Sequence, residues 1–228
     1  VATLTWLGHA TFRLDTGNQR IYVDPFLTGN PTTPESEREP ERVDVIALTH
    51  GHGDHVGDTV SLKQRFPAAE IVALIELKSW LGRQGVDVGN LPGINKGGTQ
   101  EIGGTRFTLV NAFHSSSAED GTYLGEPCGI VVRLADGTSI YFAGDTNAFG
   151  DMQLIARLYK PDLAVLPIGD WFTMGPEEAA VALELLGNPR CLPCHYGTFP
   201  VLTGTPDELA ALTSAQIERI EPGGSIEL

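Results

Sequence analysis

Three of the chain's six histidines fall within one six-residue segment, His50-Gly51-His52-Gly53-Asp54-His55. Imidazoles and carboxylates are natural ligands for zinc, iron and manganese. Four such side chains so closely spaced point to a metal centre, and a histidine-rich surface turn is the plain alternative. The segment follows an apolar, β-branched run at residues 43–48 and so is expected at a rigid strand end. Gly51 and Gly53 are expected to give the backbone the freedom to gather the side chains.

The rest of the chain reads as β-rich with helices in both halves. Strands are expected at 2–7, 11–15, 20–23, 43–48, 70–74, 99–102, 105–113, 127–134, 138–143, 162–167 and 190–194, with a last strand pair at 217–228. Asp136-Gly137 marks a hairpin. Helices are expected at 58–65, 76–83, 149–159, 176–186 and from Thr205 onward, where Pro206 suits a first turn. Residues 28–42, rich in proline and charge, read as an exposed loop, with a lid over a site as the alternative. No repeat or domain-sized linker interrupts the pattern, which suggests a single domain over residues 1–228.

Composition narrows the function. The 228 residues carry 15 basic and 29 acidic side chains, a net charge of −14. Such a surface repels phosphate backbones and anionic membranes, so neither nucleic acid nor membrane is an expected partner. A small molecule is, and oligomeric state stays open, with a homo-oligomer one outcome. The first residues, Val1-Ala2-Thr3-Leu4-Thr5-Trp6, contain no basic segment, long apolar stretch or small-residue cleavage site, and the three cysteines form no disulfide framework. The expected compartment is the cytoplasm.

Five further stretches accompany the histidine cluster: Tyr22-Val23-Asp24-Pro25, Asn111-Ala112-Phe113-His114-Ser115, Phe142-Ala143-Gly144-Asp145-Thr146, His195-Tyr196-Gly197-Thr198-Phe199-Pro200 and Trp6-Leu7-Gly8-His9-Ala10. The first four, with Thr49-His50-x-His52-x-Asp54-His55, resemble the five ordered motifs of the metallo-β-lactamase superfamily, and the stretch around His9 resembles one of its branches. The resemblance runs over nearly the whole chain and is strongest to a bacterial branch of metal-dependent hydrolases similar to ascorbate-6-phosphate lactonases. More distantly, the chain is similar to N-acyl-phosphatidylethanolamine phospholipase D enzymes.

The resemblance implies an α/β fold of α+β type, a four-layer αβ/βα sandwich with two divalent ions at one edge. Zinc is the first choice, and manganese, iron or nickel are alternatives. His50, His52 and His114 would hold one ion, Asp54, His55 and His195 the other, and Asp145 would bridge them. Asp24 would orient the cluster by hydrogen bonds. Two such ions lower the pKa of a shared water toward ~7 and stabilise a forming oxyanion. Asp54 could accept the proton, and His9 could contact substrate or donate one. The implied activity is hydrolysis of an ester, lactone, amide or phosphodiester bond of a small substrate. The alternatives are a non-catalytic metal-binding sensor or structural homologue, and a mononuclear iron dioxygenase.

Other residues invite weaker readings. Ser115-Ser116-Ser117 is turn material supporting the site rather than a nucleophile. Asp170 and Trp171 could wall the cleft, and Lys96 could meet an anionic group. Cys191-Leu192-Pro193-Cys194-His195 matches the C-x-x-C-H haem-attachment motif, but His195 also falls at the last position of the metal pattern. His52 stands where flavodiiron proteins carry glutamate, which argues against redox di-iron chemistry. The roughly 30 residues after His195 leave no room for the helical substrate domain of glyoxalase II.

Overall fold

Phe12-Arg13-Leu14-Asp15 alternates apolar and charged residues, and the structure buries Phe12 and Leu14 while Arg13 and Asp15 stay half-exposed. That period of two is the mark of a strand with one face on a core. The computed structural model describes residues 1–228 and contains twelve strands. They are β1 (Thr3–Trp6), β2 (Phe12–Asp15), β3 (Arg20–Val23), β4 (Val45–Ala47), β5 (Glu70–Val72), β6 (Thr99–Ile102), β7 (Thr105–Asn111), β8 (Cys128–Arg133), β9 (Ser139–Phe142), β10 (Leu163–Pro167), β11 (Arg190–Cys194) and β12 (Ser225–Glu227). Six helices accompany them: α1 (Gly53–Val56), α2 (Thr59–Arg65), α3 (Ile75–Arg83), α4 (Met152–Tyr159), α5 (Pro176–Leu186) and α6 (Pro206–Leu212).

The strands form two six-stranded mixed sheets, ordered β12-β1-β2-β3-β4-β5 and β11-β10-β9-β8-β7-β6. In the first, β1, β2 and β3 pair antiparallel, and β3, β4 and β5 pair parallel. In the second, β6 to β9 pair antiparallel, and β9, β10 and β11 pair parallel. Leu4, Phe12, Leu14, Ile21 and Val45 of one sheet meet Phe107, Leu109, Ile130, Ile140 and Leu192 of the other in a buried core. Each such side chain contributes roughly 1.5–3 kcal/mol. The outer face of the first sheet packs on α2 and α3 through Leu62, Leu77 and Leu81. The outer face of the second packs on α4, α5 and α6 through Ile155, Leu183 and Leu209. The result is the four-layer αβ/βα sandwich. No helix is long and apolar enough to cross a membrane.

Local signals set the helix ends. Thr205 accepts from the backbone of Glu208, whose side chain returns the bond, and Pro206 takes the first turn of α6. One expectation fails. Residues 217–228 are not a strand pair: Ile217 makes a single parallel bridge to Cys191, and only Ser225–Glu227 is a strand, on β1. The turn at Pro222-Gly223-Gly224 carries the chain from the β11 edge of one sheet to the β1 edge of the other, bonding Trp6 on the way. Residues 28–42 form the expected loop, exposed over much of its length and anchored at a few points. Asn30 and Thr33 are buried, and the Thr33 hydroxyl donates to the Leu7 carbonyl.

Candidate metal centre

Parallel pairing and the matched direction of β7 and β9 bring several C-terminal strand ends to one edge of the sandwich, where α/β proteins commonly place their ligands. Asp24 follows β3, residues 49–55 follow β4, His114 follows β7, Asp145 follows β9 and His195 follows β11. His9 sits in the β1–β2 turn, closed by bonds from the Leu7 amide to the Thr11 carbonyl and from the Thr11 amide to the Gly8 carbonyl. His9, Asp24 and His195 all have positive φ, at 54°, 46° and 55°. Such left-handed non-glycine residues cost on the order of 1–3 kcal/mol each and gather at functional sites.

One oxygen lies at the middle. Oδ2 of Asp145 is 3.2 Å from His195 Nε2, 3.3 Å from His55 Nε2, 3.5 Å from His114 Nε2 and 3.9 Å from His50 Nε2. Around it the side chains fall into three sets whose ligand atoms lie within 4.8 Å of one another: His50, His52 and His114; His9, Asp54, His55 and His195; and Asp24, His50 and His55. The helical turn α1, which the sequence reading did not foresee, carries Asp54 and His55, with the His52 carbonyl accepting its first amide bonds.

Hydrogen bonds on the far side of the rings decide which nitrogens face inward. The Asp24 carboxylate accepts from the Thr49 amide at 2.8 Å, the Thr49 hydroxyl at 2.6 Å and His55 Nδ1 at 2.8 Å. A carboxylate here only accepts, so His55 carries a proton on Nδ1. The Thr49 hydroxyl, having donated to Asp24, accepts from His50 Nδ1 at 3.0 Å. His50 therefore presents the lone pair of Nε2. His52 Nε2 lies 3.2 Å from the Ser115 hydroxyl and its Nδ1 lies 3.0 Å from His50 Nε2, so with the proton on Nε2 it presents Nδ1 inward. In that tautomer two lone pairs face each other, an arrangement a cation between them would satisfy. Two ligands at ~2.0–2.1 Å on one tetrahedral ion stand roughly 3.3 Å apart.

The buried polar atoms without hydrogen-bond partners support the same reading. They include Asp145 Oδ1, His55 Nε2 and His195 Nδ1, all in this one cluster. Native interiors rarely leave such atoms unmatched, and a bound ion is one recognised way of satisfying them. Asp24, in contrast, is fully engaged by Thr49 and His55. The donor set of imidazoles and carboxylates at one buried edge fits a divalent ion.

The charges are strongly coupled. Burial holds His50, His52 and His114 below the usual imidazole range, helped by the His55 charge. Burial opposes ionisation of Asp145, but the charges of His55 and His195 outweigh it and hold its carboxyl well below the carboxylate range. His55 is likewise desolvated, yet Asp145 and Asp24 raise it well above the usual range. Burial takes His9 down to about 4, against the bond to Asp54. Asp54, despite burial, is lowered by that bond and by His55.

The remaining candidates separate. His9 is fully buried and joins the centre, with Nε2 3.0 Å from Asp54 Oδ2. Ser115 bonds His52, and Ser116 accepts from the Gly51 amide, so the serine run does support the histidine segment. Lys96 pairs with Glu126 at 2.8 Å. Asp170 and Trp171 both have positive φ in the turn after β10, where Asp170 accepts from the Trp171 amide and the Trp171 side chain is 72% exposed. Neither makes a bond to the cluster. Gly51 and Gly53 have ordinary backbone angles, contrary to the flexibility expected of them. What Gly51 supplies is space, since a Cβ there would lie 2.5 Å from Leu124 Cδ1.

All three cysteines are free and buried. Cys191 packs with α5 and α6 outside the second sheet, and Cys194 packs between the sheets. Three residues apart on one strand, they point to opposite faces and cannot anchor one haem. Thr49, Thr198 and Leu124 were not singled out as functional. The first two lay within the quoted motifs, and side-chain hydroxyls beside histidines were the available signal.

Comparison with known proteins supplies a lineage for this arrangement. The profile of the β-lactamase superfamily domain matches residues 19–196. A metal-dependent hydrolase of Herpetosiphon aurantiacus is 48% identical over 212 residues, covering 91% of this chain and 88% of its own. One from Rubrobacter xylanophilus is 50% identical over 210 residues, covering 90% and 86%. Among solved structures, a metallo hydrolase from the hyperthermophilic archaeon Ignicoccus hospitalis superimposes with a TM-score of 0.86 at 32% identity, covering 99% of this chain and 97% of its own.

Proposed function

The chain belongs to the β-lactamase superfamily, among its metal-dependent hydrolases, and from that premise we propose that it cleaves an ester, lactone, amide or phosphodiester bond of a small substrate at a two-ion centre. His50, His52 and His114 would hold one ion and Asp54, His55 and His195 the other, with Asp145 available to both. Zinc is the expected ion. The observation that carries this reading is the meeting of four imidazole nitrogens within 3.9 Å of one Asp145 oxygen, with unpartnered buried atoms beside it.

When bound, two divalent ions supply a water acidified toward neutrality and positive charge for a developing oxyanion. The protein's own groups do the rest. Asp24, directly and through Thr49, fixes the rings of His55 and His50. Asp54, kept ionised by His9, is placed to take a proton at its carboxylate. His9, neutral and donating from Nε2, holds that carboxylate in one orientation.

Elemental analysis of purified protein, run beside a panel of small esters, lactones, amides and phosphodiesters, tests the reading. Two ions per chain and turnover of at least one class, both abolished by a chelator, are expected. One ion at saturating metal would remove the two-ion centre. Two ions without any hydrolysis would favour a sensor or structural role.

A further inference from the structure

His9 is the one histidine of the cluster whose two ring nitrogens both have hydrogen-bonding side-chain partners outside the set of imidazoles. Nε2 meets Asp54 Oδ2 at 3.0 Å, and Nδ1 meets the hydroxyl of Thr198 at 3.0 Å. The carboxylate accepts only, so Nε2 carries the proton, and whenever the ring is neutral Nδ1 is an acceptor. The Thr198 hydroxyl therefore donates to it. Its other contact, the Tyr196 carbonyl at 3.5 Å, is too long to compete.

The surroundings leave Nδ1 no substitute. His9 is fully buried, and Thr198 is nearly so. The ring is enclosed by His195 at 4.0 Å between centroids, Phe199 at 5.5 Å, His55 at 5.9 Å and Phe26 at 6.0 Å. The loop that supplies His195 also supplies Thr198, closed by a bond from the Gly197 amide to the Leu202 carbonyl. The His195 amide in turn donates to the His9 carbonyl at 2.9 Å. One short loop thus sets a candidate ligand and the support of its neighbour together.

We propose that Thr198 is a positioning residue, whose hydroxyl locks the His9 ring so that Nε2–H aims the Asp54 carboxylate into the metal centre. Thr198, His9 and Asp54 form a relay of three side chains, the last of them at the centre. The proposal rests on the reading of Asp54 as a ligand and proton acceptor. Loss of the hydroxyl leaves a buried lone pair unmatched and frees the ring to turn, which loosens Asp54.

Thr198→Val and Thr198→Ser separate the hydroxyl from the bulk of the side chain. Long-range proton–nitrogen spectra of the histidine rings report His9 directly, and zinc titration against a competing chelator reports the centre. The wild-type and Thr198→Ser proteins should show His9 protonated at Nε2 with a hydrogen-bonded Nδ1. In Thr198→Val the Nδ1 resonance should move, and affinity for the weaker zinc should fall about 10-fold, as for other outer partners of metal ligands. A wild-type His9 protonated at Nδ1, or a Thr198→Val protein with unchanged zinc affinity, would overturn the proposal. If wild-type protein takes up no zinc, the reading of the centre fails, and the Nδ1 comparison still decides whether Thr198 locks His9.

Discussion

Asp24 and His55, 31 residues apart in sequence, are joined by a 2.8 Å bond from the ring Nδ1 to the carboxylate. Both side chains are almost wholly buried. The bond turns His55 Nε2 toward Asp145, and the same carboxylate steers His50 through Thr49. One aspartate thus orients a histidine from each of the two proposed ligand sets.

Replacing Asp24 should therefore weaken metal binding without removing a ligand. Asn tolerates the left-handed backbone at this position but brings a donor amide toward groups that already donate. Asp24→Asn should fold and lose roughly 10–100-fold in metal affinity. Chelator competition at constant pH measures it, and affinity equal to wild type would deny Asp24 its orienting part.

Asp145→Ala should act on both ions at once, because four imidazoles face the lost oxygen. The variant should retain at most one ion per chain by elemental analysis and lose nearly all hydrolysis. It also strips His55 and His195 of their buried counter-charge, so its thermal midpoint should fall. Two tightly held ions in this variant would place the bridge elsewhere.

A Cys191→Ser/Cys194→Ser protein should keep its metal and most of its activity. Each new hydroxyl in an apolar site costs about 1–3 kcal/mol, visible as earlier urea unfolding. Burial raises both thiols above their usual range, so they should resist alkylation until the protein unfolds. A Soret band in wild type that vanishes in the double variant would restore the haem reading.

Gly51→Ala puts a methyl group against Leu124. Overpacking of this kind costs roughly 1–3 kcal/mol. The strain falls between two metal-proposed histidines, so metal affinity should drop along with the thermal midpoint. Gly53→Ala, which meets only the flexible end of Glu119 at 3.2 Å, should be much milder. Equal effects at the two glycines would argue for backbone freedom rather than space.

RNA and duplex DNA should not bind at micromolar protein in low salt. The net charge of −14 opposes both. Fluorescence anisotropy with labelled oligonucleotides checks this, and a salt-sensitive rise would reveal a basic patch that the composition conceals.

The chemistry of the site was legible because its residues are unusual types placed just after recognisable strands. His50, His52 and His55 announce themselves, and Asp24, His114, Asp145 and His195 each follow an apolar run. Thr198 was harder. Its partner His9 lies 189 residues away, and no periodicity encodes which loop closes over which ring. The role of Gly51 was misjudged because glycine signals both conformational freedom and lack of bulk, and only the position of Leu124 separates the two. The tail was misjudged for a related reason. A short β-prone stretch states that it will pair but not with which edge.

That tail has a consequence for how the molecule is made. β1 holds the third to sixth residues of the chain, and Leu4 pairs with Ile226. β1 therefore gains its second neighbour only once Ser225–Glu227 has been made. Until then one side of β1 offers unpaired amides and carbonyls to any passing strand. Residues 216–218, which join β11 at the border of the other sheet, arrive only moments earlier. The earlier strands can shape the core progressively, but this border of the first sheet is sealed by pairing between segments far apart in sequence, a slow kind of closure.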